Sequence, residues 1–464
     1  MKDKLLKPDM ERLRPELGDV LEILESRAPY GSVSLSSREM TRYLVDNNQE
    51  SVVTGEPTAG VILRAFDGKT MRERGLGGFT KGEVIQTAKD FVAGVDFSSN
   101  GKIDPGPERK GDFQTEMEND PVLVPTNKKL DNLREMNRRV NAIDSRIVNT
   151  RMSFLEMREK TVFRNRAADL AQDIQRVHMG LMITVMGDKG VVWNFRSKCG
   201  TGGLEILSFS DEELAALVGD TIKLLDAGRI EPGEYTVVTA PGVSGVIAHE
   251  SFGHGVETDM FLKERAKAAN FIGKRVGSDL VNIYDDPSLP GEFGSYFFDD
   301  EGFPAKPTQI VKDGIFERGL TDMYSSTVLG IQRSPNGRRQ DFTRKVYPRM
   351  TNTFFGSGDQ SVEDLIAQVE DGIYIPKVSS GMEDPKGWGI QVSGHYGYEI
   401  KSGKLTEKMF APIGITGYVP EVLGSISGVA SDFGLEGGYC GKGTKEIVPV
   451  TDGGPHLLMK ARLG

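Results

Sequence analysis

The chain has 464 residues, a formal net charge of −10, and 27% charged against 38% apolar residues. This is the balance of an ordinary soluble protein with ample chain for a sizeable core, and its acidity argues against general nucleic-acid binding. No apolar run approaches membrane-spanning length; the charged N-terminus has no signal-peptide core and two cysteines make no disulfide framework, so a cytoplasmic protein is the simplest reading.

Residues 10–26 read as a helix with Leu13, Leu17, Val20, Leu21 and Leu24 on one face. Short strands are expected at 31–35 and 61–65, and a helix over 80–92 opened by a Thr80 cap. The stretch 100–125, rich in Gly, Pro and Asp, reads as a long loop, and 128–142 as a polar helix whose arginines face water. From Ile147 the period changes to two. Val148, Thr150, Met152 and Phe154, then Val177 to Val185, then Val191 to Phe195 describe an antiparallel meander. Residues 211–227 form a capped helix ended by Gly228. The glycines of 75–82 and 200–203 lack the Lys-Ser/Thr ending of a phosphate loop and read as turns. Pro and Gly at 229–233 mark a boundary between an N-terminal mixed α/β domain, 1–230, and a C-terminal domain, 231–464.

The C-terminal part opens on a strand, 235–240, a turn at Pro241-Gly242 and an apolar helix start at 243–248. There follows His249-Glu250-Ser251-Phe252-Gly253-His254. Two imidazoles are suited to a metal such as zinc, and the carboxylate between them is placed to take a proton from bound water. The spacing is one longer than H-E-x-x-H. On a regular helix, residues five apart diverge by about 140°, so a helix distorted between the histidines, by a π-bulge that Gly253 tolerates, is predicted. Glu257 and Asp259 are carboxylates placed to orient the ligands. Beyond the motif, strands are expected at 281–284, 310–311, 373–375, 389–393 and 398–400, a hairpin over 306–316, and short helices at 362–369 and 419–425. The fold class is therefore α+β, with a strand-rich, largely antiparallel C-terminal domain carrying a metal-binding helix.

A catalytic zinc needs a third protein ligand. The residues alone leave it open among His178, His395, His456, Cys199, Cys440 and any carboxylate. Glycines flank Cys440 in Gly437-Gly438-Tyr439-Cys440-Gly441-Lys442-Gly443, and Cys199 is the plainer alternative.

The segments from His249 to Asp259, Asp299-Asp300-Glu301-Gly302, Arg349-Met350-Thr351-Asn352-Thr353, Gly372-Ile373-Tyr374-Ile375 and Gly438-Tyr439-Cys440-Gly441-Lys442 occur in one order. Together they resemble the TldD/PmbA family of modulators of DNA gyrase and zinc metalloproteases, on the side of its catalytic, TldD-like subunits. The resemblance implies zinc held by His249, His254 and Cys440, with Glu250 as the base. It also implies a homodimer, or a heterodimer with a PmbA/TldE-like subunit. The function expected is a zinc-dependent peptidase acting on unfolded or flexible polypeptide. Competing readings are a metal-dependent amidase or esterase, and a zinc-stabilised, non-catalytic partner subunit. Ile373 and Tyr374 are expected to bind substrate on a sheet edge that Pro376 ends.

Overall fold

The computed structural model describes residues 13–97, 99–443 and 446–464. Among these the chain builds an α+β fold around three large sheets. The first has eight strands, in the spatial order Met71–Gly77, Thr58–Phe66, Tyr30–Val45, Ile147–Asn165, Ala168–Gly187 and Arg109–Gln114. Glu50–Thr54 lies beside Tyr30–Val45, and Gly190–Thr201 beside Ala168–Gly187. The meander from Ile147 is present, in strands of up to 20 residues.

The strand expected at 31–35 is the start of a 16-residue strand. Its polar middle shows no apolar alternation and is held instead by cross-strand pairs such as Arg38 with Glu159, at 2.5 Å. The loop expected at 100–125 contains the strand Arg109–Gln114, paired in parallel with Ala168–Gly187. Exposed and mostly polar, it owes its conformation to the neighbouring ladder rather than to its own pattern. Gly75 and Gly77 stand in a strand, not a turn. Side chains at Gly60, Gly75 or Gly77 would collide with Phe342, so the glycines form a slot for a loop of the C-terminal half.

The N-terminal helices follow their caps. Lys81–Ala93 and Asp211–Leu224 each begin with a capping box, Thr80 with Glu83 and Ser210 with Glu213. Of the helix expected over 10–26, Leu17–Glu25 is α-helical, and residues 10–12 lie outside the described residues.

In the C-terminal half a seven-stranded sheet closes on itself. Asp371–Asp384 pairs with Gly233–Thr239 on one side and Gly389–Lys401 on the other, and Leu457–Leu463 and Ile413–Tyr418 complete the circuit. Residues 372–374 are therefore paired on both sides, and the edge expected at Ile373 and Tyr374 is not an edge. Ile373 is core, and Tyr374 Oη is 3.2 Å from His456 Nε2. Pairing with Gly233–Thr239 stops at Ile375, so among the described residues the free edge begins beyond Pro376 and runs to Asp384. A six-stranded sheet includes Asn352–Phe355 parallel to Glu446–Gly454, which pairs in turn with Gly434–Lys442.

Strand Gly233–Thr239 leads directly into the helix Pro241–Phe252, which lies buried between these two sheets. It is apolar or small almost all round, as a helix packed on every face must be. A side chain at Gly245 would fall 2.2 Å from the Gly453 backbone nitrogen, so helix and strand Glu446–Gly454 touch backbone to backbone. Buried charge joins the two halves: Arg64 pairs with Glu301 at 2.6 Å and with Glu73 at 3.0 Å, and Arg176 donates to the Phe293 and Ser295 carbonyls. Breaking such a pair by removing one member typically costs about 3–5 kcal/mol. Among the described residues no helix is long and apolar enough to cross a membrane.

Candidate metal centre

His249 and Glu250 lie in the last turn of the helix Pro241–Phe252. The helix does not widen into a π-bulge. It stops at Phe252, Gly253 leaves helical geometry at φ −97°, ψ −86°, and His254 opens a 3₁₀ turn, His254–Val256. Ending the helix brings residues five apart onto one side, as a bulge would have done. Glycine is required there: a Cβ at 253 would sit 1.7 Å from Met350 Sδ and 2.2 Å from the His249 carbonyl oxygen.

Cys440 arrives on strand Gly434–Lys442, 186 residues from His254, with Sγ 3.2 Å from His254 Nε2. One donor atom each from His249, His254 and Cys440 lies within 4.8 Å of the others. His178, His395, His456 and Cys199 are not part of this group. His178 stands opposite Cys199 in the first sheet, His395 packs on Trp193, and His456 donates from Nδ1 to Asp432 at 2.7 Å. Burial pushes the Cys199 thiol up to about 12.

The imidazoles are oriented from behind. His249 Nδ1 donates to Asp452 Oδ1 at 2.6 Å, and His254 Nδ1 makes a longer contact, 3.4 Å, with Glu257 Oε2. Both leave Nε2 for the centre. Asp259 touches neither histidine: it binds Lys442 at 2.6 Å and Lys263 at 2.8 Å, and Lys442 in turn holds Glu257 at 2.9 Å. Arg349 donates to the Cys440 carbonyl at 2.9 Å and to Sγ at 3.3 Å. Asp452 and Arg349 were not singled out from sequence. Asp452 lies 203 residues from His249, and no local pattern marks it; Arg349 lay inside a segment carrying the family resemblance.

Electrostatics follow this geometry. Burial would raise the Cys440 thiol, but His254 and His249 outweigh it and hold it well below its usual range. Burial would lower His249, yet Asp452 and Cys440 hold it well above its usual value. His254 is opposed in the same way by burial and carried to about 10 by Cys440 and Glu257. A buried thiolate between two imidazoles is a donor set that fits zinc with an open fourth position. Burial raises the Glu250 carboxyl, with the two histidines opposing. That shift moves it toward the range of a general base at neutral pH.

These groups open into a cleft of about 850 Å³. One wall is the free edge after Pro376. A side chain at Gly381 would fall 2.6 Å from Glu250 Oε1, so this edge passes directly over Glu250. Phe195 and Ser197 of the first sheet close another side.

Two cysteine variants separate the ligand candidates. Cys440→Ser should lower bound metal by tenfold or more, while Cys199→Ser should leave it near the wild-type level, both read by metal analysis of the purified proteins. Metal loss that follows Cys199 would overturn the assignment.

Residues 232–462 match the model of the PmbA/TldA metallopeptidase C-terminal domain. A metalloprotease of Methanothermobacter thermautotrophicus is 33% identical over 317 residues, 68% of this chain and 69% of that protein. A metalloprotease TldD homologue of Haemophilus influenzae is 32% identical, over 71% and 70% of the two chains. In fold, the chain resembles a Thermotoga maritima protein described as a candidate modulator of a DNA gyrase, with a TM-score of 0.76 and 17% identity, covering 97% of this chain and 100% of that one. It also resembles TldE from Thermococcus kodakarensis, with a TM-score of 0.71 and 15% identity, covering 96% and 99%. With this extent of likeness to relatives named as metalloproteases, the chain belongs to the TldD/PmbA family of metallopeptidases.

Proposed function

We propose that this protein is a zinc-dependent peptidase that cuts unfolded or flexible polypeptide, with His249, His254 and Cys440 as the zinc ligands. The observation that carries the reading is Glu250 beside a three-donor set, beneath a free strand edge. Zinc, when bound there, supplies a Lewis acid and lowers the pKa of a bound water. Glu250 takes the proton from the attacking water and delivers it to the leaving amine. Asp452 and Glu257 fix the histidine rings, and Arg349 donates to the Cys440 sulfur. Residues 377–384 offer unpaired backbone groups to an extended substrate, which gives affinity with little sequence demand. This edge takes the role first expected of Ile373 and Tyr374, and its position over Glu250 favours polypeptide over a small amide or ester. A chain that served only to complete another subunit would have no need of Glu250.

The likeness to TldE supports pairing, as a homodimer or with a PmbA/TldE-like subunit. The match from residue 232 supports a division of the chain near residue 230. A buried thiolate that must stay reduced suits the cytoplasm.

The test pairs one small protein in two states, held folded by its ligand and destabilised by a core mutation. The zinc-loaded enzyme should cut the destabilised form at least about tenfold faster, as mass spectrometry of the products would show. Equal rates, with the cut inside the folded core, would remove the preference for unfolded chain.

A further inference from the structure

The cleft is acidic, and part of that charge is not used by the centre. Besides the ligands His249, His254 and Cys440, its ionisable walls include Glu250, Glu257, Glu383, Glu436 and Asp452 against Lys442. Glu250 has its role as base. Asp452 is taken by His249, and Glu257 by Lys442 and His254. Lys442 is spent on Glu257 and Asp259. Two carboxylates remain.

Among the described residues both oxygens of Glu383 are shut off from solvent and have no hydrogen-bond partner. A side chain at Gly255 would fall 2.2 Å from Glu383 Oε1, so the carboxyl lies against the backbone just after His254. No counter-charge meets it among the described residues. Glu436 is exposed on the cleft wall, and no ion pair within 4.0 Å is formed with it among the described residues. Its carboxylate rests on Gly242, where a Cβ would be 2.7 Å away. The nearest cations are committed elsewhere: Lys377 to Asn194 and the Phe195 carbonyl, and Arg196 to Glu213. The N-terminus of the helix Pro241–Phe252 supports a negative charge at this place without neutralising it.

Gly242 opens the helix and Gly255 lies beyond its end, so the two unused carboxylates flank Glu250 from opposite ends of the cleft. Glu250 stands eight steps along the helix from Gly242, roughly 12 Å of rise, or about three to four residues of extended substrate. Glu383 is two residues from Gly381 on the same face of its strand, roughly 7 Å or two substrate residues from Glu250.

Resting on the peptidase reading above, we propose that the cleft selects basic polypeptide. Glu436 receives a lysine or arginine side chain about three to four residues to one side of the cut bond, and Glu383 one about two residues to the other side. Hydrogen bonds between a carboxylate and a cation belong to the stronger, charge-assisted class, and unpaired carboxylates along a cleft draw cationic chains in and turn acidic ones away.

The experiment uses matched peptides in which one lysine, glutamine or glutamate is moved through each position, with the zinc-loaded wild type, Glu436→Gln and Glu383→Gln. Lysine at the two favoured distances should raise kcat/KM about tenfold over glutamine. Each substitution should bring the lysine-to-glutamine ratio near one at its own end and leave it at the other. Binding of the same peptides to Glu250→Gln, followed by fluorescence anisotropy, should show the same ordering without turnover. Wild type that cuts lysine and glutamine peptides equally overturns the charge proposal while leaving the peptidase reading intact. If no peptide is cut, the peptidase reading fails, and the anisotropy ordering alone then decides the charge proposal: equal binding of lysine and glutamine peptides overturns it.

Discussion

Glu250→Gln should retain the metal and the fold and lose about 10² or more in kcat. The amide is close in shape to the carboxylate and fits the same place beneath Gly381, but it cannot accept the proton of the attacking water. Metal analysis, a thermal melt and single-turnover cleavage of one peptide, run side by side, separate loss of the base from loss of the site. A variant that keeps near-wild-type rates would take Glu250 out of the mechanism. Loss of metal together with activity would make Glu250 a structural member of the centre instead.

Gly253→Ala should be the most damaging single methyl group in the chain's metal centre. The added carbon would meet Met350 Sδ at 1.7 Å and the His249 carbonyl oxygen at 2.2 Å, both far inside contact distance. Met350 is fully buried and the carbonyl belongs to the helix's last turn, so neither can yield cheaply. Overpacking of this kind costs about 1–3 kcal/mol or more, and any relief by backbone movement displaces His254. The expected outcome is a lower melting temperature together with metal affinity weakened by at least about tenfold, read by titrating the apo-protein with zinc. Adding Met350→Ala should recover part of the stability but little of the affinity, because the carbonyl clash remains. A single variant that melts and binds metal like the wild type would show that the break after Phe252 is not what sets the histidine geometry.

Much of the centre was legible in the sequence because its chemistry is local: His249, Glu250 and His254 lie within six residues, and Gly253 announced a deformation. The form of that deformation was not legible. A π-bulge and a helix end both bring residues five apart together, and nothing in the local sequence distinguishes them. The partners of the ligands were hidden for a related reason. Asp452 is brought to His249 by the backbone contact of Gly245 with Gly453, a packing fact that no spacing encodes. The free edge of the sheet was misplaced by a few residues. Pro376 does mark a change in pairing, but the edge begins after it rather than before it. In the N-terminal half, alternation found the meander, whereas Arg109–Gln114 carries too little apolar pattern to declare itself a strand.

The long sequence separations across the centre govern when the enzyme comes into being. His249 and Glu250 leave the ribosome well before Cys440 and Asp452, which stand 186 residues from His254 and 203 from His249. At roughly 5–20 residues per second, the first half of the motif waits on the order of 10–40 s without its thiol and without the carboxylate that orients its ring. A nascent chain is itself unfolded polypeptide, the class of substrate proposed for this cleft. Dividing the ligands between two distant segments of the chain would leave the growing protein without a complete centre until Cys440 and Asp452 have emerged.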